Sequence, residues 1–255
     1  MPMRDAPRLK PGEKVYDLGF AGLAIIQGRK RTRFGDDAVL LAHFCTLGPS
    51  DRAVDLGTGT GIIALLLAGR EPQCRVDALE LRPDAADRAA RSVSMNALCG
   101  RVRVYECDLR REPERLCAHG YDLAVCNPPY YRIGEGKISP DPDIAAARHE
   151  VSCTLGDVVR VSASLLREGG RLALILPWTR REECGQTLAR FGFQPQRFRP
   201  VVHREAEPAG RFLLESVKGG ASRCAVLPPL IEYEADGRFT AEMARIYHMD
   251  DEGRQ

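Results

Sequence analysis

The chain has 255 residues, a length filled by one α/β domain or by two smaller ones. Hydrophobic residues make up 44% and charged residues 28%, which excludes a mainly disordered chain, and a net charge of +2 excludes a polybasic protein of the histone kind. Of the 37 basic side chains 32 are Arg, so any basic surface is built from forked, stacking guanidinium groups. Residues 1–34 contain the apolar run Leu23-Ala24-Ile25-Ile26-Gln27, then Gly28-Arg29-Lys30-Arg31-Thr32-Arg33, with eight basic and three acidic side chains, a local balance of +5.

From Arg52 onward short apolar runs alternate with helical stretches. Strands are expected at 53–56, 75–80, 102–107, 121–126 and 171–176, and helices at 62–68, 83–98, 155–167 and 179–191, with Gly169-Gly170 closing the third helix. Residues 198–202 and 211–217 read as a closing antiparallel pair. Near-continuous apolar strands alternating with helices mean a parallel sheet covered on both faces, a doubly wound α/β domain. The expected division is a basic arm or hairpin over 1–34, a domain over 35–218 and a tail over 219–255 with a turn at Ala235-Asp236-Gly237 packed on that domain.

Targeting and redox signals are few. The longest uncharged apolar run, Leu56 to Gly69, is too short and too rich in Gly and Thr to span a bilayer, and the start carries no signal-peptide block. The nine cysteines are odd in number and form no Cys-x-x-Cys pair, so they read as reduced, mostly buried thiols. The five histidines lack ligand spacing, and no metal is expected. A cytoplasmic protein without membrane contact follows from this reading; its oligomeric state stays open.

Asp55-Leu56-Gly57-Thr58-Gly59-Thr60-Gly61 ends the first strand of the alternation and opens the first helix. Glycines at 57 and 59 let the backbone turn sharply and approach a nucleoside with no Cβ in the way. The spacing is not the dinucleotide one, which needs glycine at the position of Ile62. Glu80 ends the second strand, nineteen residues after Gly61, placed to accept hydrogen bonds from ribose hydroxyls, and Asp108 ends the third strand at the same edge, placed for an adenine amino group. The bland reading makes these two acids polar strand ends. Together, the acid-flanked glycine turn and the strand-end acids resemble the S-adenosylmethionine-dependent methyltransferases. That resemblance implies a Rossmann-like class I fold with a mostly parallel seven-stranded sheet and an antiparallel closing strand. It also implies a pocket for S-adenosyl-L-methionine lined by Asp55, Gly57, Thr58, Gly59, Gly61, Glu80, Leu81, Asp108, Leu109 and Asn127.

The fourth strand ends in Asn127-Pro128-Pro129-Tyr130. An exocyclic or amide NH2 is a poor nucleophile because its lone pair is delocalised. The Asn127 side-chain oxygen and the Pro128 carbonyl can each accept one N–H, holding the nitrogen toward tetrahedral geometry with its lone pair aimed at a methyl donor. Pro129 presents no N–H, and Tyr130 can stack on a planar target. A Pro-rich turn is the structural alternative. The tetrapeptide resembles that of amino-methyltransferases acting on adenine N6, guanine N2 or glutamine N5; Cys126 reads as a buried strand thiol rather than a nucleophile.

The flanks resemble one family closely. Gly22 to Gln27, Arg33-Phe34-Gly35-Asp36-Asp37-Ala38-Val39-Leu40-Leu41-Ala42-His43-Phe44, Ala147 to Val151 with Thr154-Leu155, and Pro228-Pro229-Leu230-Ile231 leading to Tyr233 and Gly237 are similar to bacterial tRNA1(Val) adenine-N6 methyltransferases, over about residues 15–247. The family's acidic position is assigned to Asp37 rather than Asp36, and the contacts of residues 134–144 do not carry over. The implied substrate is an anticodon-loop adenine of tRNA, already partly unstacked and cheaper to splay than a duplex base. Arg29, Lys30, Arg31 and Arg33 are then candidates for phosphate contacts, with Arg148 and His149 as further RNA contacts, against solvated-face and helix-cap alternatives. Arg197, Arg199, Arg204 and Arg211 extend the basic surface in this reading. Ribosomal RNA guanine N2, DNA adenine N6 and protein glutamine N5 are the rival substrates, and a non-catalytic RNA-binding protein is the rival class. About fifty residues precede the sheet, too few for the helical domain of the glutamine enzymes, and no DNA target-recognition insertion is present.

Overall fold

The computed structural model describes residues 8–28, 35–111, 116, 118–128, 153–221 and 223–248. A hairpin of β1 (Glu13–Asp17) and β2 (Ala24–Gly28) precedes α1 (Asp36–Phe44). Then come β3 (Arg52–Leu56), α2 (Ile62–Arg70), β4 (Arg75–Glu80), α3 (Pro83–Met95), β5 (Val102–Glu106) and β6 (Tyr121–Cys126). The second half runs α4 (Leu155–Leu165), β7 (Leu166–Pro177), α5 (Arg181–Arg190), β8 (Phe193–Arg204), β9 (Arg211–Lys218), β10 (Ala225–Val226), β11 (Leu230–Tyr233) and α6 (Ala241–Ile246).

The central sheet has the order β8-β9-β7-β6-β3-β4-β5. Strands β7, β6, β3, β4 and β5 pair in parallel, and β9 lies antiparallel to both its neighbours, β7 and β8. The seven strands expected are therefore joined by two more: β10 and β11 run parallel along the outer edge of β8, because the tail folds back over that edge and satisfies its backbone groups. Each inner strand feeds two layers. Ala53, Leu123 and Val125 join the core under α1 and α2, whereas Val54, Ala124 and Cys126 join the core under α4 and α5. Both faces being covered explains why the runs carry no polar alternation.

Two helices end earlier than their periodicity predicts. α3 stops at Met95 rather than Leu98, since the Asn96 side chain leaves the helix to pair with β2 as a strand would: it accepts from Ala24 N at 2.9 Å and donates to Ala24 O at 2.6 Å. The Ser92 hydroxyl accepts from Ile26 N at 3.0 Å, and Arg91 forks onto Glu13 at 2.7 Å, so the hairpin is fastened along α3. α4 opens on a capping box of Thr154 and Asp157 and stops at Leu165; residues 166–170, expected as helix end and glycine stop, are strand. Leu166 pairs with Tyr121, and a register shift before Leu123 and Arg171 takes up the intervening residues.

Three of the four arginines expected to extend a basic surface are internal fasteners instead. Arg199 makes a bidentate pair with Glu242 of α6 at 2.8 Å, Arg197 lies over Phe44 and 3.5 Å from buried Glu215, and Arg211 joins Asp37 and Glu232. Each is thus paired with an acid of the fold, although Arg197 keeps 34% of its side chain exposed; Arg204 stays exposed. Asp36 and Asp37 divide the work at the start of α1: Asp37 takes Arg211, and Asp36 accepts from the Tyr247 hydroxyl at 2.5 Å.

Candidate active site

The parallel strands deliver their carboxyl ends to one edge of the sheet, where open α/β folds hold ligands. Leu56 pairs with Leu79 and Glu80 with Glu106, while Asp55 pairs with Val125, so the turn after β3, the acid closing β4, the segment after β5 and Asn127 after β6 are neighbours. The turn is held from β4: the N–H groups of Gly57 and Thr58 both donate to Leu79 O at 2.9 Å. Gly57 and Gly59 adopt φ of +76° and +60°, and a Cβ on either would meet nothing within 4 Å. Both therefore present bare backbone to open space at the sheet edge. Gly61 differs, because a Cβ there would come 3.2 Å from the Ala89 Cβ; this glycine lets α2 approach α3.

Three acids stand around that turn in different states. Asp55 is buried, its Oδ2 accepts from the Thr58 hydroxyl at 2.5 Å, and its Oδ1 is buried without a hydrogen-bond partner. Burial, opposed by the Thr58 hydroxyl and the Ala64 backbone N–H and reinforced by the negative charge of Glu80, pushes the Asp55 carboxyl up to about 7. Glu80 has a part that its strand-end position did not announce: Oε2 accepts from Gly59 N at 2.8 Å and Oε1 from Arg82 N at 2.9 Å, so it braces the glycine turn against the end of β4. Oε1 also stands 3.5 Å from Arg82 Nε, which leaves Oε2 with the freer second lone pair for a hydroxyl donor. Asp108 is held by Arg110, whose Nε and Nη2 donate to it at 2.9 to 3.1 Å and at 2.7 Å, and that guanidinium keeps its carboxyl below the usual range. An adenine amino group would reach Asp108 only by sharing it with Arg110. Leu81, 43% exposed, and half-buried Leu109 supply apolar surface beside these acids.

Asn127 is half-buried and Pro128 buried where β6 leaves the sheet. The preceding thiol of Cys126 donates to Leu56 O at 3.0 Å, and burial pushes it well up, so it is an inert packing group and no nucleophile. Pro129 and Tyr130 lie outside the described residues, as do Arg29, Lys30, Arg31, Arg33, Arg148 and His149.

The methyltransferase small domain family model matches residues 34–191. A tRNA1(Val) (adenine(37)-N6)-methyltransferase from Porphyromonas gingivalis is 31% identical over 244 residues, 91% of each chain. Its namesake from Aeromonas hydrophila is 31% identical over 82% of this chain and 85% of its own. The chain belongs to the tRNA1(Val) (adenine(37)-N6)-methyltransferase family. The fold agrees: a predicted O-methyltransferase from Agrobacterium tumefaciens superposes with a TM-score of 0.68 at 24% identity, covering 83% of this chain and 95% of that one. An S-adenosylmethionine-dependent O-methyltransferase from Thermotoga maritima gives 0.53 at 19%, covering 76% and 69%.

Within this family member, S-adenosylmethionine fits the edge just described. The open cradle at Gly57 and Gly59 admits a nucleoside-bearing ligand, Leu81 offers an apolar wall, and the partnerless Asp55 Oδ1 offers an acceptor to a cationic one. The residues that sequence reasoning underrated are Glu80 as a brace, Thr58 as a donor to Asp55, and Arg110 as the partner of Asp108. The last two carry a local signal, a hydroxyl three residues after an acid and an arginine two residues after one; the Glu80 brace spans 21 residues and carries none.

Proposed function

We propose that this chain transfers a methyl group from S-adenosylmethionine to the exocyclic N6 of an anticodon-loop adenine in a tRNA1(Val)-like substrate. The observation that carries the reading is a likeness to enzymes named for that reaction that runs through the flanks as well as the donor-binding core. The donor, when bound, supplies an electrophilic methyl on a sulfonium. Asn127 Oδ1 and the Pro128 carbonyl each accept one N–H of the adenine amino group, and Tyr130 stacks on the ring; together they turn the nitrogen lone pair toward that methyl. With the donor bound, the adenine nitrogen would take the methyl directly from the sulfonium as that S–C bond broke, and the extra proton would leave to solvent, so no covalent enzyme adduct and no general base are required of this chain. Cys126 being an inert thiol agrees with this direct route.

For the RNA, Arg29, Lys30, Arg31 and Arg33 are assigned to phosphates of the anticodon stem-loop and Arg148 and His149 to the loop, in keeping with a substrate met in the cytoplasm. Among the described residues no helix is long and apolar enough to cross a membrane.

The test is transfer of labelled methyl from S-adenosylmethionine to total small RNA, followed by nucleoside analysis. N6-methyladenosine in the tRNA fraction is the expected product. Label in guanosine, or label taken up only by ribosomal RNA, DNA or protein, overturns the substrate while leaving the Asn127 chemistry.

The raised Asp55 carboxyl makes a separate prediction about pH. Its folded value lies above the unfolded one, so the native state binds more protons between about pH 4 and pH 7 and its stability falls as pH rises through that window. Asp55→Asn is therefore expected to melt above the wild-type chain at pH 8, with the gap closing by pH 4, when neither donor nor RNA is present. A cationic donor favours the ionised acid, so wild-type affinity for S-adenosylmethionine is expected to rise from pH 5.5 to 8. Thermal melts and calorimetric titrations across pH check both; a flat profile for either removes Asp55 as the titrating group.

A further inference from the structure

Trp178 and Arg181 form a paired surface at the catalytic edge that neither the glycine turn nor Asn127 uses. Trp178 is the chain's one tryptophan and directly follows β7, whose Leu174 pairs with Cys126 of β6. It therefore lies on the same sheet edge as Asn127, one strand over. From within the fold the indole is backed by Phe198, 5.9 Å away and tilted, and Phe198 in turn stacks on buried Phe212 at 5.3 Å. Its backbone N–H donates to Gly210 O at 2.9 Å, which pins the start of the turn.

From the solvent side the Arg181 guanidinium lies over the indole, its carbon 5.1 Å from the ring centroid, and its Nη1 donates to the Trp178 carbonyl at 3.2 Å. The neighbouring arginine shows the contrast: Arg180 is buried and gripped by both oxygens of Glu183 at 3.0 and 2.9 Å. The Arg181 side chain is 43% exposed, and the acid beside it, Glu182, stands 3.5 Å away and is 80% exposed. A planar cation held on an aromatic ring at an exposed edge is a pre-organised stacking surface that also attracts phosphate. Unpaired nucleobases are bound on such surfaces, stacking on aromatic rings and guanidinium planes while the backbone meets the charge.

We propose that Trp178 and Arg181 are a platform for an unpaired nucleobase flanking the target adenine. The platform rests on the tRNA reading above and adds to it a binding and positioning contact for a base beside the target. A single tryptophan makes it directly observable. Titrating an anticodon stem-loop RNA into the wild-type protein is expected to quench its emission saturably, with the same midpoint as filter binding. Arg181→Ala is expected to raise the KM for that RNA and weaken its binding by about tenfold, with kcat and donor affinity unchanged. Arg181→Lys keeps the charge and loses the planar face, so it is expected not to restore binding. Unchanged emission at saturating RNA, or Arg181→Ala binding like wild type, overturns the platform alone. Full restoration by Arg181→Lys reduces the contact to a phosphate pair and likewise overturns the stacking. A wild-type protein that neither binds nor methylates the RNA overturns the platform and the tRNA reading together.

Discussion

Asn127→Ala is expected to lower the rate of methyl transfer by about 10³-fold while leaving the affinity for S-adenosylmethionine unchanged. The side chain sits half-buried at the end of β6, and the strand before it is secured independently by its parallel pairing with β3 and β7 and by the Cys126 thiol donating to Leu56 O. Truncation therefore removes an acceptor without loosening the edge that presents it. The lost acceptor matters most as the amine becomes tetrahedral, so the effect falls on kcat rather than on KM. Single-turnover kinetics with labelled donor, together with a calorimetric donor titration, separate the two. Asn127→Asp keeps an accepting oxygen and is expected to lose less. Normal turnover with weakened donor binding in Asn127→Ala reverses the assignment and makes Asn127 a donor-binding residue.

Glu80→Ala is expected to weaken donor binding by about 10²-fold or more. Its carboxylate holds Gly59 N and Arg82 N at once, and hydrogen bonds to a charged group are each worth roughly 1.5–3 kcal/mol. Removing the acceptor leaves the Gly59 N–H without its partner and frees the turn whose bare backbone faces the ligand space. Because Gly57 and Thr58 remain tied to Leu79 O, the sheet itself is expected to survive, and thermal unfolding serves as the control. Glu80→Gln keeps one accepting oxygen and is expected to fall between the two. Unchanged donor affinity in Glu80→Ala would mean that the turn keeps its shape through Leu79 alone.

Sequence reading and structure agree where the signal is local. The apolar runs of β3, β4 and β6 have little polar alternation because both faces are buried, and that pattern is visible in five or six consecutive residues, whereas β5 at the sheet edge exposes Arg103 and Glu106. Asp55 to Gly61 and Asn127-Pro128 are equally local: a turn and a strand end whose residue types state their chemistry. The expected helix over 155–167 failed where a distant partner intervened, since Leu166 is taken into the sheet by Tyr121, 45 residues earlier in the chain. α3 ended early for the same kind of reason, with Asn96 paired to Ala24 across 72 residues.

The charges divide in the same way. The sequence by itself determined the fold class, the glycine turn, the acids at the strand ends and the position of Asn127 and Pro128 at the end of β6, because each is written in the order of neighbouring residues. Only the tertiary structure decided that Arg197, Arg199 and Arg211 are fasteners while Arg181 lies over Trp178, and that Glu80 braces the turn. An arginine reads alike in sequence whether it faces water, a carboxylate or an indole. Which of these it meets depends on elements brought together from far apart, as Arg211 of β9 and Asp37 of α1 are across 174 residues, and no local pattern encodes that separation.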